Sequence, residues 1–458
     1  MPSKKTISYI LILFIWANSV NIAFLLFRLC GVVMLRPIIV YEYLLIPLLI
    51  AFRVPLTITY FCFIAVLLID VISQISFIFL FSISEFLKNL QFYLLYDFSV
   101  THYVMAVGFG IFIVAFFFAL KRSSKPTREL SIVTISFTGL FFVSVYVIDS
   151  LSGKSLLNEK RIWSFYDFNL GAALTRDVFI LVKDLGAPTS KVHVGNNSIT
   201  SKTFKNDSTG NQLLIIMESW GFPNKQADWN KLKAIISSKD KLQEWKFDFG
   251  STKFSGGTAH AELRELLDAN GDYRYLVNPD SARSVRSIFN SKKKQGYSTF
   301  AIHSFSGKMF QRNIWWKNIG ADSVFFMENV LRKKRLTSDE LNYTTPFPSL
   351  NDEDAFLFIG PRNDHRKRFA YFLTVNTHLP FNSQTSNKQH VIFDSQLSDE
   401  AENQLDRIIE LIKFFIEKGN AEHWSKILIV GDHMPPFSNE KDRNFYSKKE
   451  VPFLLLRH

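Results

Sequence analysis

Cysteine is almost missing from this 458-residue chain: only Cys30 and Cys62 occur, both in apolar stretches. The polar part of the chain therefore holds no disulfide and no thiolate metal site, although an exported domain can do without disulfides. Acidic residues are outnumbered, 41 against 53 Lys and Arg, for a net charge of +12. Such a balance suits nucleic acid, an anionic membrane surface or an anionic substrate. No nucleic-acid-binding module accompanies it, so no nucleic-acid partner is expected. No internal repeat is present, which excludes a repeat array. Charge of either sign is scarce at the start: residues 1–149 carry ten basic and six acidic side chains, a net of +4, leaving +8 for the rest.

What fills that poorly charged region is Ile, Leu, Val and Phe. A membrane-spanning helix needs about 20 apolar residues. Five candidate spans follow: 7–27, 37–52, 54–83, 102–120 and 130–149. The first lies behind Lys4 and Lys5, is too long for a signal-peptide core and has no small-residue cleavage site, so it reads as an uncleaved anchor. The loop at 121–128, K-R-S-S-K-P-T-R, holds four basic residues and belongs on the cytoplasmic side. Lys4, Lys5 and Arg53 agree with that orientation; Arg28 and Arg36 go against it. Five crossings then put everything after residue 150 outside. Glu42 and Asp70 fall in or near these runs, where ionisable groups are costly. They read as bundle-facing polar contacts, with contact to a lipid head group as the functional alternative.

Three regions are expected: a transmembrane domain over 1–150, a juxtamembrane helix and linker over 151–211, and a catalytic domain over 212–458. Residues 164–185 have the periodicity of a helix lying along a membrane surface, and 186–211 has linker composition. From 212 onward, short apolar runs alternate with polar helical stretches. Strands are expected at 213–217, 298–303, 369–376, 426–431 and 451–456, and helices near 259–268, 281–292, 309–318 and 400–418. That alternation predicts an α/β domain with a mostly parallel sheet between helices. Working residues then gather at the carboxyl ends of the strands. No further domain is expected after the last strand.

Three of these strands end in chemistry-bearing groups: Glu218 in M-E-S-W-G, His378 in N-T-H-L-P-F, and Asp432 with His433 in V-G-D-H-M-P. A Glu, an Asp and a His meeting at one sheet end make a mixed oxygen and nitrogen site for a divalent cation. A fourth stretch, S-G-G-T-A-H-A-E, puts Thr258 at the start of a helix, where free N–H groups favour phosphoryl oxygens. A threonine hydroxyl needs a base or a metal to become a nucleophile. Thr258 also reads as an ordinary N-cap.

Taken in order, M-E-S-W-G, G-G-T-A-H-A-E, N-T-H-L-P-F and V-G-D-H-M-P resemble the sulfatase-like branch of the alkaline phosphatase superfamily. The likeness is to lipoteichoic acid synthases and, more distantly, to phosphoethanolamine transferases, and it extends over the five-span layout. It implies that Glu218, Thr258, Asp432 and His433 hold one divalent ion, manganese, magnesium or zinc. It implies further that Thr258 becomes phosphorylated and that His378 binds the substrate phosphate or assists the leaving group. His303 and Arg312 match the substrate-binding segment, and an arginine fork suits phosphate. Their alternatives are a polar strand-end group for His303 and a surface ion pair for Arg312. His260 and Glu262 read as supporting residues; Ser219, Lys253 and Ser255 have no assigned role.

Two departures from the resemblance stand out. The synthases' lysine before the threonine is Gly257 here, and the Cys/Ser-x-Pro-x-Arg signature of formylglycine sulfatases is missing. The expected activity is transfer of a phosphoglycerol or phosphoethanolamine group from a membrane phospholipid donor to an envelope glycan or lipid acceptor. The enzyme would sit in a bacterial inner membrane with its catalytic domain outside. The rivals are a sulfatase-like phosphodiesterase or sulfuric ester hydrolase, and a catalytically silent membrane scaffold or glycan-binding protein.

Overall fold

The structure, a computed structural model, describes residues 20, 41–78, 132, 136, 192–237, 245–334, 349–359, 366–379, 397–421, 423–437 and 440–458. The chain divides into two compact units, Met1–Leu87 with Phe98–Gly186, and Lys88–Asp97 with Ala187–His458.

In the first unit a 3-10 turn, Tyr41–Leu44, leads into helix α1 (Leu45–Ala51), and helix α2 (Leu56–Ile78) follows. Pro55 stands just ahead of α2, where its missing N–H leaves no helical bond unmade. Val20, Tyr43, Ile46, Ile50, Phe63, Val66 and Leu67 form an apolar cluster. At its edge the Tyr43 hydroxyl donates to the Asp70 carboxylate at 3.1 Å, both groups being buried. Asp70 is thus a polar contact within the helical cluster. Among the described residues no helix is long and apolar enough to cross a membrane. The expected spans at 7–27, 102–120 and 130–149, single positions apart, and the surface helix at 164–185 lie outside the described residues.

The second unit begins, within the stretch of linker composition, with strand β1 (His193–Val194) and helix α3 (Ile199–Phe204). Its further strands are β2 (Asn211–Met217), β3 (Lys246–Lys253), β4 (Ala269–Asn270), β5 (Ser298–His303), β6 (Ser323–Phe325), β7 (Arg368–Leu373), β8 (Trp424–Gly431) and β9 (Glu450–Arg457). Its further helices are α4 (Gln226–Ser237), α5 (Thr258–Leu267), α6 (Pro279–Arg283), α7 (Ile288–Lys294), α8 (Arg312–Asn318), α9 (Met327–Lys334), α10 (Asp352–Phe356), α11 (Asp399–Ala421) and α12 (Glu440–Phe445). Seven strands make one sheet in the order β3-β9-β8-β2-β7-β5-β6. Strands β8, β2, β7, β5 and β6 run parallel, and β9 alone runs against its neighbours β8 and β3. The mostly parallel α/β domain is as expected from the sequence.

The central strands are near-continuous apolar runs because helices cover both faces of the sheet. Leu213, Ile215 and Met217 of β2 enter a core with Trp229, Leu232 and Ile236 of α4 and Leu405, Ile412 and Phe415 of α11. On the other face Phe369 and Tyr371 of β7 meet the rings of Phe204, Phe289 and Trp316. Each such buried side chain contributes about 1.5–3 kcal/mol. Strand β3 escaped the sequence reading because it is an edge strand, K-F-D-F-G-S-T-K, with little apolar continuity. Two expected helices are broken. Residues 281–292 divide into α6 and α7, and 309–318 is interrupted by Phe310 and Gln311 at φ 53° and 54°.

Register then fixes the working end of the domain. Met217 pairs with Gly431 and Ile216 with Leu373, while His303 pairs with Leu373 on the next strand. The residues that follow these pairs (Glu218, Asp432, Thr374 and Ser304) therefore emerge side by side.

Candidate active site

Helix α5 delivers Thr258 to this edge. Gly256, at φ 68°, makes the turn into the helix, and a Cβ there would stand 2.4 Å from the His260 ring. Gly257 is the N-cap and makes no side-chain cap bond, so Thr258 is the first helical residue. The N-cap reading of Thr258 is thereby corrected. Its hydroxyl is turned away from capping and lies 3.0 Å from Glu218 Oε2, 3.0 Å from Asp432 Oδ2 and 3.5 Å from His433 Nε2. Four side chains spread over more than two hundred positions meet at one point, with Glu218, Asp432 and His433 all buried.

This donor set fits a divalent cation on its own chemistry. The Thr258 hydroxyl has one hydrogen and can donate to only one of the two carboxylates, both 3.0 Å away. His433 Nδ1 lies 2.9 Å from the Met434 carbonyl, which can only accept, so the hydrogen belongs on Nδ1. That bond turns Nε2 toward Asp432 Oδ2 at 3.2 Å and Glu218 Oε1 at 3.4 Å. Orientation of a metal-binding imidazole through its other nitrogen is the usual arrangement. Glu218, Asp432 and His433 each offer a ligand atom, all within 4.8 Å of one another.

The electrostatics express the same crowding. Burial, followed by the Glu218 charge, pushes Asp432 up to about 7. Burial opposes charge on His433, but Asp432 and Glu218 outweigh it and push the imidazole up to about 9. Burial would raise Glu218 too, yet the His433 hydrogen bond and the charges of His378 and His433 hold it below the usual carboxylate range. Negative charge has been concentrated where only a cation or a proton can balance it.

Supporting contacts that sequence reasoning did not assign hold the four in place. Ser219, at φ 55°, donates its N–H to Asp432 Oδ1 at 2.7 Å and its hydroxyl to Glu218 Oε1 at 3.1 Å. Arg264, six residues past Thr258 on the same helix and buried, donates to the Gly431 carbonyl at 2.8 Å, to the Asp432 carbonyl at 3.4 Å and to Glu265 at 2.7 Å. The only hint of Ser219 was its place in M-E-S-W-G; Arg264 had none, since a charged residue on a helix normally reads as solvated.

His378 stands in the loop after β7, and burial followed by the opposing charges of Glu218 and His433 leaves its imidazole below its ordinary value. His303 is buried at the end of β5 with Nδ1 3.0 Å from the Leu373 carbonyl. Burial, then the nearby Arg312 charge, pulls His303 down to about 3; with its hydrogen on Nδ1 toward the Leu373 carbonyl, Nε2 is left as an acceptor. Arg312 opens α8 straight after the two positive-φ residues, a conformation costing about 1–2 kcal/mol at each. Its ion pair is buried, not on the surface: Nε and Nη2 lie 2.9 Å and 2.8 Å from Glu262 Oε2. The other Glu262 oxygen accepts from Trp316 at 2.9 Å and Tyr371 at 3.2 Å. His303 and Arg312 are thus close to each other, and neither shares a direct bond with the four-residue cluster among the described residues.

A family model described as Sulfatase matches residues 211–457, and the chain belongs to the sulfatase family of the alkaline phosphatase superfamily. No characterised relative matches it in sequence. Among solved structures it is similar to the lipoteichoic acid synthase LtaP from Listeria monocytogenes, at 14% identity and a TM-score of 0.41 over 58% of this chain and 69% of that one. The phosphoglycerol transferase GacH from Streptococcus pyogenes, solved with sn-glycerol-1-phosphate, is 17% identical at a TM-score of 0.36 over 56% and 70%. The integral membrane lipooligosaccharide phosphoethanolamine transferase A from Neisseria meningitidis is 11% identical at a TM-score of 0.41 over 82% and 72%.

Proposed function

We propose that this sulfatase-family enzyme is a phosphotransferase of a bacterial inner membrane, moving a phosphoglycerol or phosphoethanolamine group from a phospholipid to an envelope glycan or lipid. The observation that carries the reading is the Thr258 hydroxyl at a helix start, in contact with Glu218, Asp432 and His433 together. Threonine cannot become a formylglycine, which turns the reading away from sulfate-ester hydrolysis. The apolar first 150 residues and the basic 121–128 loop support a membrane anchor with the catalytic domain outside. Tethering to the bilayer keeps a lipid donor at high local concentration.

Glu218, Thr258, Asp432 and His433 are the residues that would hold one divalent ion, and when bound it supplies Lewis-acid charge that favours the threonine alkoxide and polarises the phosphoryl group. The Thr258 oxygen attacks phosphorus as its proton leaves through a neighbouring carboxylate. The bond to the lipid oxygen breaks, and diacylglycerol departs with a proton. An acceptor hydroxyl then attacks the same phosphorus, the bond from phosphorus to the Thr258 oxygen breaks, and the proton given up by the acceptor restores the threonine hydroxyl. The free N–H groups at the start of α5 face developing charge on the phosphoryl oxygens. We assign His378 to proton exchange with leaving group or acceptor, and His303 with Arg312 to binding of the transferred head group.

Intact-mass measurement of the full-length protein after exposure to phosphatidylglycerol or phosphatidylethanolamine tests this. A head-group phosphate adduct is expected on the native chain and not on Thr258→Ala, with turnover lost by at least about 10⁴-fold. Turnover retained in the alanine variant sinks the proposal. Turnover that is indifferent to added glycan or lipid acceptor favours the hydrolase, in which water resolves the intermediate.

A further inference from the structure

We infer that Asp352, at the start of α10, is a positioning residue for the active site, acting through the loop 374–378 on Glu218 and His378. The inference rests on the functional reading just given. Asp352 is fully buried, yet no arginine or lysine is bonded to it among the described residues. Its partners are instead donors from two separate strand exits. Both of its oxygens accept from the Val375 N–H at 3.1 Å, Oδ2 from the Asn376 N–H at 2.8 Å, and Oδ1 from the Ser304 hydroxyl at 2.5 Å. Its own N–H donates to Asn376 Oδ1 at 2.6 Å, closing a reciprocal ring. Asn376 then reaches Ser349 and the Leu350 carbonyl, and the Leu350 N–H returns to Ser304.

The far side of this loop grips Glu218. Thr374 Oγ1 accepts the Glu218 N–H at 2.9 Å, and the Thr377 hydroxyl donates to the Glu218 carbonyl at 2.5 Å. Gln404 of α11 holds the Thr377 carbonyl at 2.8 Å. Asp352 thus fastens residues 375 and 376 while residues 374 and 377 fasten the backbone of Glu218. On its other side it secures Ser304, the neighbour of His303. A carboxylate suits this place because it accepts on both oxygens, whereas an amide would turn N–H₂ toward a backbone donor.

The test uses the full-length protein, with diacylglycerol release from phosphatidylglycerol or phosphatidylethanolamine micelles as turnover and Mn²⁺ calorimetry as the second readout. Asp352→Asn is expected to lower kcat by about 10–100-fold and to weaken Mn²⁺ binding by about tenfold. Thr377→Val is expected to act in the same direction, and the double variant to lose little more than the worse single one, because both act through one loop. Should Asp352→Asn fail to fold, Asn376→Ala serves in its place, since it leaves the carboxylate and removes the ring. Losses that simply add, or Mn²⁺ affinity unchanged in every variant, overturn the inference. Failure of the functional reading is distinguishable: it shows as turnover surviving in Thr258→Ala while the Mn²⁺ readout of Asp352 still responds.

Discussion

Replacing Asp432 with Asn should make the metal-free protein more stable and the metal-loaded protein less so. Glu218 and Asp432 present ligand oxygens within 4.8 Å of each other in a buried pocket. Two unit charges at that separation repel by about 3 kcal/mol at an effective dielectric constant of about 20. Positive charge on His433 offsets part of this, so the figure is an upper bound. For a domain of this size about 3 kcal/mol corresponds to a rise of roughly 6–12 °C in unfolding temperature. Metal reverses the order: a cation at about 1,000 times its Kd stabilises the native protein by about 4.1 kcal/mol, more than the repulsion relieved, and Asp432→Asn forfeits most of that. The assay is thermal unfolding of the full-length protein in detergent, native against Asp432→Asn, in chelator and then with excess Mn²⁺, Mg²⁺ or Zn²⁺. Crossing of the two rank orders is the expected signature. If Asp432→Asn is less stable in chelator as well, or if no cation raises the native midpoint, the reasoning that these carboxylates await a cation is wrong.

Two more outcomes follow from the flanking residues. His303 is held neutral down to about pH 3 by burial and by Arg312, whereas the unfolded imidazole takes a proton near 6.5. Its contribution to stability is therefore present above about 6.5 and lost as pH falls toward 3. In His303→Gln, stability should fall less steeply across that window, by up to about 1.4 kcal/mol per pH unit, as read from denaturant titrations at several pH values. Glu262→Ala should cost about 3–5 kcal/mol in urea unfolding, because the buried Arg312 guanidinium loses its carboxylate; a loss below about 1 kcal/mol would mean that water reaches the arginine.

Much of the catalytic domain was legible in its sequence. The apolar runs at 213–217, 298–303, 426–431 and 451–456 lie within strands, and 369–376 does so as far as Leu373, since a sheet covered on both faces writes continuous hydrophobicity into the chain. Polar residues just past two of these runs, Glu218 and then Asp432 with His433, could be proposed as ligands before any geometry was known. What local pattern could not say is which strands are neighbours. Only the order β8-β2-β7-β5 sets Glu218 against Asp432 and brings Thr374 and Ser304 alongside. Helix α5 shows the same division. The sequence shows a helix there, but only the structure shows it buried nearly all round, taking Glu262, Arg264 and Glu265 inside with it. Whether a charged side chain is solvated or folded into a polar network depends on what packs against its far side. That is why Thr258 was visible in the sequence, whereas the polar contacts that Ser219, Arg264 and Asp352 make around it and its partners emerged only from the tertiary structure.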